Sequence, residues 1–337
     1  MPEADPPVPT SSADEARGLQ RLKQVSWGSA VQVVLLILAV ALLVRTVAGV
    51  DLQDLVQELQ GASWALVAGA FVLGQTPRLT QTLSTLGAAP RPVPMGPVYQ
   101  LQLAQGYVGL AVPSSAARIA MGVRFFQKQG FTSGAALAIG GLDSFSGFLV
   151  EAALLLGLLV FTPQTLHFDL DAPALPEWRT ILVVIVVLAA LLAVVSALLP
   201  GTRRQFAAWA KNLLADGRSA LRDLRSPRRL LLLLGGNLGS ILLSSATLGL
   251  FVAALGASVS FSDLVVMTIS VSLLAGLLPV PGGIGVVESG LTFGLVASGV
   301  PEDMAFAAVV LFRLATFYIP PAWGFVAFRT LERNDYL

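Results

Sequence analysis

The sequence predicts an all-α polytopic membrane protein with about six full transmembrane helices and two re-entrant helical hairpins, arranged as inverted repeats. Of the 337 residues, 55% are hydrophobic and 12% are charged, whereas a soluble domain carries about 25% charged residues. The stretches 179–199 and 230–255 each run for 20 or more residues with almost no charge. Because about 20 apolar residues form a helix that crosses the hydrocarbon core, the composition excludes an ordinary soluble domain.

Two of the eight apolar stretches contain helix breakers and a charge. The stretch 98–123 is interrupted at Pro113 and then carries Arg118, and the stretch 263–299 is interrupted by the sequence PVPGGIG and then carries Glu288. Neither half of either stretch crosses a bilayer comfortably, so each stretch is expected to dip into the membrane and return. The remaining stretches are the six predicted full spans: 25–48, 62–86, 132–161, 179–199, 230–255 and 302–328.

Basic residues predict the orientation of the chain. Loop 201–229 carries eight Lys and Arg residues against two Asp, and an excess of basic residues marks cytoplasmic loops. We therefore expect a disordered cytoplasmic tail at 1–24, a single membrane domain at 25–330 and a cytoplasmic C-terminus at 331–337. Loop 201–229 also carries an apolar stripe, which predicts either a helix on the anionic inner leaflet or a helix packed against the bundle.

Two inverted repeats are predicted, at about 62–161 and about 230–328. The tripeptide Leu-Gly-Ala at 86–88 recurs at 255–257, and each repeat consists of a span, a hairpin and a span. The loop charges orient the first repeat from outside to inside and the second from inside to outside. Inverted repeats with broken helices near the midplane are typical of secondary transporters.

Six charged residues within the apolar spans are candidates for a functional site: Arg78, Arg118, Asp143, Glu151, Glu288 and Arg313. Such charges are costly in a bilayer and usually face the protein interior or a wet cavity. Asp143 and Arg313 each lie 11 residues into their spans, roughly 16 Å deep at about 1.5 Å per residue. The charges predict two pairs, Arg118 with Asp143 and Glu288 with Arg313. The pairs either fix the hairpins or line a polar path for a substrate.

The turn of the second hairpin and Arg78 complete the predicted substrate-binding set. Pro281 stops the incoming helix, and Gly282, Gly283 and Gly285 permit a sharp turn. The next half-helix would begin near mid-membrane, where its free N–H groups suit an anion such as phosphate. The alternative is a plain loop between two short helices. Arg78 is expected either to snorkel to the interface or to meet a lipid phosphate.

Several kinds of site are excluded or unexpected. The absence of cysteine excludes thiol catalysis, and the single histidine, His167, provides no histidine cluster for a metal site. The Gly-Gly-Ile-Gly sequence lacks the preceding strand that a dinucleotide site needs. We therefore expect no metal, no cofactor, no nucleic-acid partner and no enzyme activity, although carboxylate chemistry stays open.

A specific pattern occupies residues 277–324: a Pro-Gly-Gly-x-Gly turn, a glutamate, a Gly-Val pair and a late arginine. These residues are Pro281, Gly282, Gly283, Gly285, Glu288, Gly299, Val300 and Arg313. The pattern resembles the closing region of the lysylphosphatidylglycerol synthase transmembrane-region family, also called the flippase-like family. The first half resembles the family more loosely, through Pro113, Arg118, Arg124, Gly130 and Asp143. In layout the resemblance covers most of residues 25–330.

The resemblance implies a flippase-like transporter that moves an anionic, aminoacylated or polyprenyl-phosphate-linked lipid across a bacterial cytoplasmic membrane. In the founding members a synthase domain accompanies the membrane domain, and here none follows before Leu337, so a stand-alone member is expected. The alternative is a non-transporting accessory subunit of a lipid-modifying or cell-envelope glycan assembly enzyme. The expected partners are a membrane lipid and, through loop 201–229, the anionic inner leaflet. A homodimer or an enzyme partner is a further expectation.

Overall fold

The computed structural model describes residues 60–111, 115–161, 226–277 and 281–337. Within these ranges all regular secondary structure is helical and no strand occurs, which confirms the predicted all-α class. Four sequence predictions lie wholly or largely outside the described residues: the tail 1–24, the spans 25–48 and 179–199, and the basic loop 201–229.

The helices are numbered here in chain order. The first half contains α1 (Trp64–Leu73), α2 (Thr76–Ala88), α3 (Met95–Ala111), α4 (Ser115–Lys128) and α5 (Ser133–Phe161). The second half contains α6 (Pro227–Ala254), α7 (Phe261–Leu277), a 3₁₀ turn (Pro281–Gly283), α8 (Val286–Ala297), α9 (Glu302–Arg313), a π segment (Leu314–Tyr318) and α10 (Pro321–Arg333).

Three helical stretches of the described residues are long and apolar enough to cross a membrane. They are Ser133–Leu158, Pro227–Ala254 and Glu302–Arg333, and they coincide with three of the predicted spans. The predicted hairpins are each built from two shorter helices, α3 with α4 and α7 with α8. The total of six spans and the re-entrant paths stay predictions.

The predicted span 62–86 is divided into two helices. α1 ends at Leu73 and α2 begins at Thr76, with Pro77 in its first turn, where a residue without an N–H is tolerated. The side chain of Gln75 bridges the interruption, because its Nε2 donates to the carbonyls of Phe71 at 3.0 Å and Ala315 at 2.8 Å. The break in α1–α2 therefore lies directly against the π segment.

α2 and α6 cross at the centre of the described structure with their backbones in contact. A Cβ atom on Gly236 of α6 would lie 2.5 Å from the backbone nitrogen of Ser84 on α2. Reciprocally, a Cβ atom on Gly87 of α2 would overlap the backbone of Leu233 on α6. Small residues of this kind let membrane helices approach closely.

The two halves repeat the same order of packed helices. α2 packs on α3, α3 on α4 and α4 on α5, while α6 packs on α7, α7 on α8 and α8 on α9. This agrees with a repeated unit, and the opposite orientation of the two units in the membrane stays a prediction.

The C-terminal residues pack onto the first half of the protein. α10 lies along α3, and Leu331 is fully buried. Beyond α10, the ring of Tyr336 stacks on Phe125 of α4 with centroids 6.0 Å apart, and Lys128 Nζ lies 2.5 Å from Asp335 Oδ1. The chain after α10 thus anchors on the end of α4.

Candidate functional site

The turn between α7 and α8 requires glycine for reasons of packing and backbone conformation. Gly282, Gly283 and Gly285 have φ angles of 63°, 64° and 82°, a region that side chains other than glycine rarely occupy. A Cβ atom on Gly282 would overlap the ring of Phe317, and one on Gly283 would lie 2.8 Å from Val287 Cγ2. The turn that the sequence marked as a candidate substrate site is packed against the protein itself.

The predicted pair of Glu288 and Arg313 is confirmed. Arg313 Nε donates to Glu288 Oε1 at 2.7 Å, and both side chains are buried. The same oxygen accepts from the Tyr318 hydroxyl at 2.8 Å, and Glu288 Oε2 accepts from the Gly285 N–H at 2.6 Å. Arg313 Nη2 donates to the Gly282 carbonyl at 3.1 Å. The N–H at the start of α8, which was expected to donate to a phosphate, therefore donates to the carboxylate of Glu288 instead.

The guanidinium of Arg313 also lies over an aromatic ring. Its Cζ is 4.0 Å from the centroid of Phe317, a cation–π contact. The positive charge is thus neutralised by Glu288 and covered by Phe317. This environment favours the interpretation in which the pair fixes the second hairpin.

Arg78 points into the protein and does not snorkel to a surface. Its Nη2 donates to the carbonyl of Thr316 in the π segment at 3.0 Å. Its Nη1 is buried and has no hydrogen-bond partner among the described residues. The snorkelling alternative is therefore wrong, and Arg78 instead helps to hold α2 against the π segment.

A cavity of about 630 Å³, with both polar and apolar residues in its wall, lies between α2, α3, α4, α5 and α6. Its apolar wall includes Phe126 of α4 and Leu137 of α5. Its polar lining comprises three glutamines, an asparagine, an arginine, an aspartate, a serine and a threonine: Gln81, Thr85, Gln102, Gln105, Arg118, Asp143, Ser144 and Asn237. The cavity brings together Arg118 and Asp143, two of the sequence-predicted site residues, and none of the predicted residues of the second half.

The predicted ion pair between Arg118 and Asp143 is wrong: within the described residues the two charges line one cavity without pairing. Asp143 instead accepts hydrogen bonds from Ser84 Oγ at Oδ1 and from Thr85 Oγ1, 2.6 Å away, at Oδ2. The stem of Arg118 lies beside α3, where a Cβ atom on Gly109 would come within 3.1 Å of Arg118 Cδ. The partners of Asp143 are thus the hydroxyls of Ser84 and Thr85 on α2, and not Arg118 as predicted.

The carboxylate of Asp143 orients a shell of amides around it. An ionised carboxylate only accepts hydrogen bonds, so the hydroxyls of Ser84 and Thr85 donate to it and accept from other groups. Asn237 Nδ2 donates to Ser84 Oγ at 2.6 Å, and Gln102 Nε2 donates to Thr85 Oγ1 at 2.8 Å. The amide oxygens of Gln102 and Asn237 accept no hydrogen bond from the described residues, so they remain as acceptors in the cavity wall.

The amides and hydroxyls that surround Asp143 were not predicted from the sequence. A usable signal was present, because Asn237 stands in the apolar sequence LLLLLGGNLGS and Gln102 and Gln105 stand in the apolar half of the first hairpin. Neutral polar groups in a span need partners as charges do. Only the helix packing shows that these partners meet around Asp143.

A comparison with protein-family models supports the membrane assignment. The model of the lysylphosphatidylglycerol synthase TM region matches residues 29–324, which covers both hairpins, the cavity and the buried pair. No curated protein matches the chain significantly. With its apolar helices and this match across most of its length, the chain is a membrane protein that belongs to the lysylphosphatidylglycerol synthase transmembrane-region family.

Proposed function

We propose that this protein is a flippase-like transporter that translocates an anionic, aminoacylated or polyprenyl-phosphate-linked lipid across a bacterial cytoplasmic membrane. The observation that carries the proposal is the cavity between α2 and α6, with Arg118 and Asp143 in its wall. Family membership supports a role with lipids. In this proposal the cavity receives the lipid head group while the acyl chains stay in the bilayer.

Arg118 suits the phosphate of such a lipid. It is exposed, and its guanidinium makes no hydrogen bond or ion pair with a described residue. A guanidinium presents several N–H donors in a plane that matches a phosphate, and such charge-assisted bonds are strong. A cation already paired in the protein, such as Arg313, would first have to lose its partner.

The rest of the lining suits a head group that carries hydrogen-bond donors. The amide oxygens of Gln102 and Asn237 and the carboxylate of Asp143 are all acceptors in the cavity wall. Ammonium or hydroxyl groups of a head group would satisfy them. The cavity volume of about 630 Å³ lies in the range of about 300–1,000 Å³ that is common for small-molecule sites. Polar groups at this depth would lower the cost of moving a charged group through hydrocarbon, which is several kcal/mol or more.

The second half has a different part in this proposal. Glu288 and Arg313 are satisfied by each other, by Tyr318 and by the glycine turn. They hold the second hairpin in place, whereas the head-group site lies on helices of the first half together with Asn237 of α6. A direct contact of Pro281, Gly282, Gly283 or Gly285 with substrate is not needed.

The test is lipid movement in liposomes that contain the purified protein and a head-group-labelled phosphatidylglycerol. We expect wild type to speed transbilayer movement well above protein-free liposomes. Gly140→Leu should reduce the movement about tenfold or more, because Gly140 lines the cavity and space for a side chain is open there. Its melting temperature should stay near that of wild type.

Gly134→Leu is the matched control, because Gly134 lies on the same helix, also has open space at its Cβ position and does not line the cavity. It should move lipid as wild type does. If wild type moved neither this lipid nor an aminoacylated one, the accessory-subunit function would replace transport.

A further inference from the structure

We propose that Asp143 binds a proton reversibly, and that it does so when a phosphate-bearing head group occupies the cavity at Arg118. The coupling to a phosphate-bearing head group rests on the proposed function, whereas the reversible protonation depends only on the surroundings of Asp143. The ligand is a proton delivered by hydronium from the aqueous phase, which leaves water behind, and the product is the neutral carboxylic acid.

Among the described residues, no helix that borders the cavity gives Asp143 a cationic partner. The groups that face it around the cavity are hydroxyls and amides on α2, α3 and α6, and a single charge on α4: Ser84, Thr85, Gln102, Gln105, Asn237 and Arg118. Arg118 is the only charged group among them, and it is not paired with Asp143. A carboxylate without a cation in a membrane span is held in its charged form by hydrogen bonds alone, here from two hydroxyls.

Glu288 provides the internal comparison within the same chain. It receives a guanidinium N–H, a tyrosine hydroxyl and a backbone N–H, all within 2.8 Å. The carboxylate of Glu288 is the countercharge of the buried Arg313, and loss of such a countercharge is costly. Neutralisation of Asp143 leaves no buried cation unpaired among the described residues. Protonation of Asp143 is therefore compatible with an intact fold.

The hydrogen-bond shell of Asp143 accommodates both states. In the ionised state, Ser84 and Thr85 donate to the two carboxylate oxygens. Each hydroxyl has two acceptor lone pairs and a proton that can rotate. Either hydroxyl can therefore accept from the protonated acid while it still accepts from Asn237 or Gln102. The shell thus holds the neutral acid without leaving its new O–H group unpaired.

The shared cavity couples the proton to a bound phosphate. A phosphate at Arg118 places a second anion in the cavity that contains Asp143. Like charges in one site favour protonation of one of them, so phosphate binding promotes proton uptake by Asp143. Linkage requires the converse as well, so protonation of Asp143 tightens binding of the phosphate.

The first experiment measures the proton directly and needs no transport. Infrared difference spectra of the purified protein are recorded on acidification from about pH 8 to about pH 4, the range in which carboxyl groups in proteins titrate. We expect a component of the protonated carboxyl signal that is absent in Asp143→Asn and present in Glu151→Gln, because Glu151 is a further carboxylate of α5 and accepts from Ser272. An identical spectrum for wild type and Asp143→Asn would overturn the proposal.

Ser84→Ala keeps the test decisive if Asp143→Asn does not fold. The variant removes one of the two hydroxyls that donate to the carboxylate, so the ionised form loses a donor. The midpoint of the carboxyl signal should move to higher pH. An unmoved midpoint would show that the signal does not come from Asp143.

The second experiment tests the coupling with a short-chain phosphatidylglycerol as the probe. Wild type should bind this lipid about fivefold or more tightly at low than at neutral pH, the size of an ordinary coupling between sites. Asp143→Asn should bind it with the same affinity at both pH values. If the protein moved lipid in liposomes but showed no carboxyl signal and no pH-dependent binding, the proton site would be refuted and transport would stand. A carboxyl signal without pH-dependent binding of this lipid would refute the coupling but not the proton site, and the liposome assay would still decide the proposed function.

Discussion

Arg313 donates its Nε hydrogen to Oε1 of Glu288 at 2.7 Å, across 25 positions of sequence. Glu288 lies in the first turn of α8, and Arg313 is the last residue of α9. Their contact joins the glycine turn to the π segment, because Tyr318 and Gly282 bond to the same pair. One ion pair thus fixes the two irregular segments of the second half.

Removal of Glu288 should be strongly destabilising. Glu288→Ala leaves Arg313 buried with no countercharge and the N–H of Gly285 without its acceptor. Breaking a buried pair in this way costs about 3–5 kcal/mol. Denaturation of the purified protein in detergent measures the loss. The control is Glu332→Gln, which breaks the exposed pair with Arg329 at 3.5 Å and should change stability by less than about 1 kcal/mol. Equal losses would contradict the structural role of Glu288.

Tyr318→Phe should cost about 1.5 kcal/mol, the low end for a hydrogen bond to a charged group. Tyr318 is partly exposed, which keeps the loss small, but its hydroxyl donates to Glu288 at 2.8 Å. The same substitution at Tyr107 is the control, because its ring packs on Phe325 with centroids 5.4 Å apart and its hydroxyl bonds to no described residue. In thermal melting, Tyr318→Phe should have a lower melting temperature than Tyr107→Phe. Indistinguishable melting temperatures would contradict the prediction.

Gly236→Ala should destabilise the protein by about 1–3 kcal/mol or more, the usual cost of overpacking. The added methyl would lie 2.5 Å from the backbone nitrogen of Ser84 and 2.6 Å from the carbonyl of Thr80, and backbone atoms cannot move aside as a flexible side chain can. Gly235→Ala is the neighbouring control, because no atom lies within 4 Å of its Cβ position. It should lose no stability in the same denaturation experiment. Similar losses at both positions would refute the close crossing of α2 and α6.

The docked C-terminus should loosen in acid. The hydrogen bond from Lys128, together with its positive charge, holds the pKa of Asp335 below its ordinary value. Because the folded pKa is lowered, the contact stabilises docking above the unfolded value of about 3.9 and is lost as the pH falls through the lowered pKa. A fluorophore on Asn334→Cys reports this loss as a drop in anisotropy below about pH 4.

The chain contains no native cysteine, so labelling in that experiment is specific. Asp335→Asn is the control: Asp335 has a φ angle of 57°, which asparagine also adopts readily. The variant should show no pH step over this range. A step that persisted in Asp335→Asn would assign it to another group.

The sequence predicted those features that depend on residue type alone. Hydropathy predicted the helical class, and the opposite charges of Glu288 and Arg313 at breaks in apolar spans predicted their pairing. The partner of Asp143 was predicted wrongly, because two hydroxyls on α2 lie 58 and 59 positions away and periodicity cannot show which helix faces which. The break before Thr76 had a local signal in Pro77 and in the polar residues that follow it, which the prediction of one span over 62–86 did not use.

The contact of α2 with α6 limits how this protein could change shape. Sliding of either helix along the other would bring a residue with a side chain to a crossing where a Cβ atom would overlap the backbone of Leu233 or Ser84. α2 and α6 both border the cavity, since Thr85 and Asn237 line it. If the cavity opened first to one side of the membrane and then to the other, the crossing of α2 and α6 would therefore stay unchanged. The helices that move would then be α3, α4 and α5, which surround this crossing. The size of their rotation would determine to which side of the membrane Arg118 is exposed.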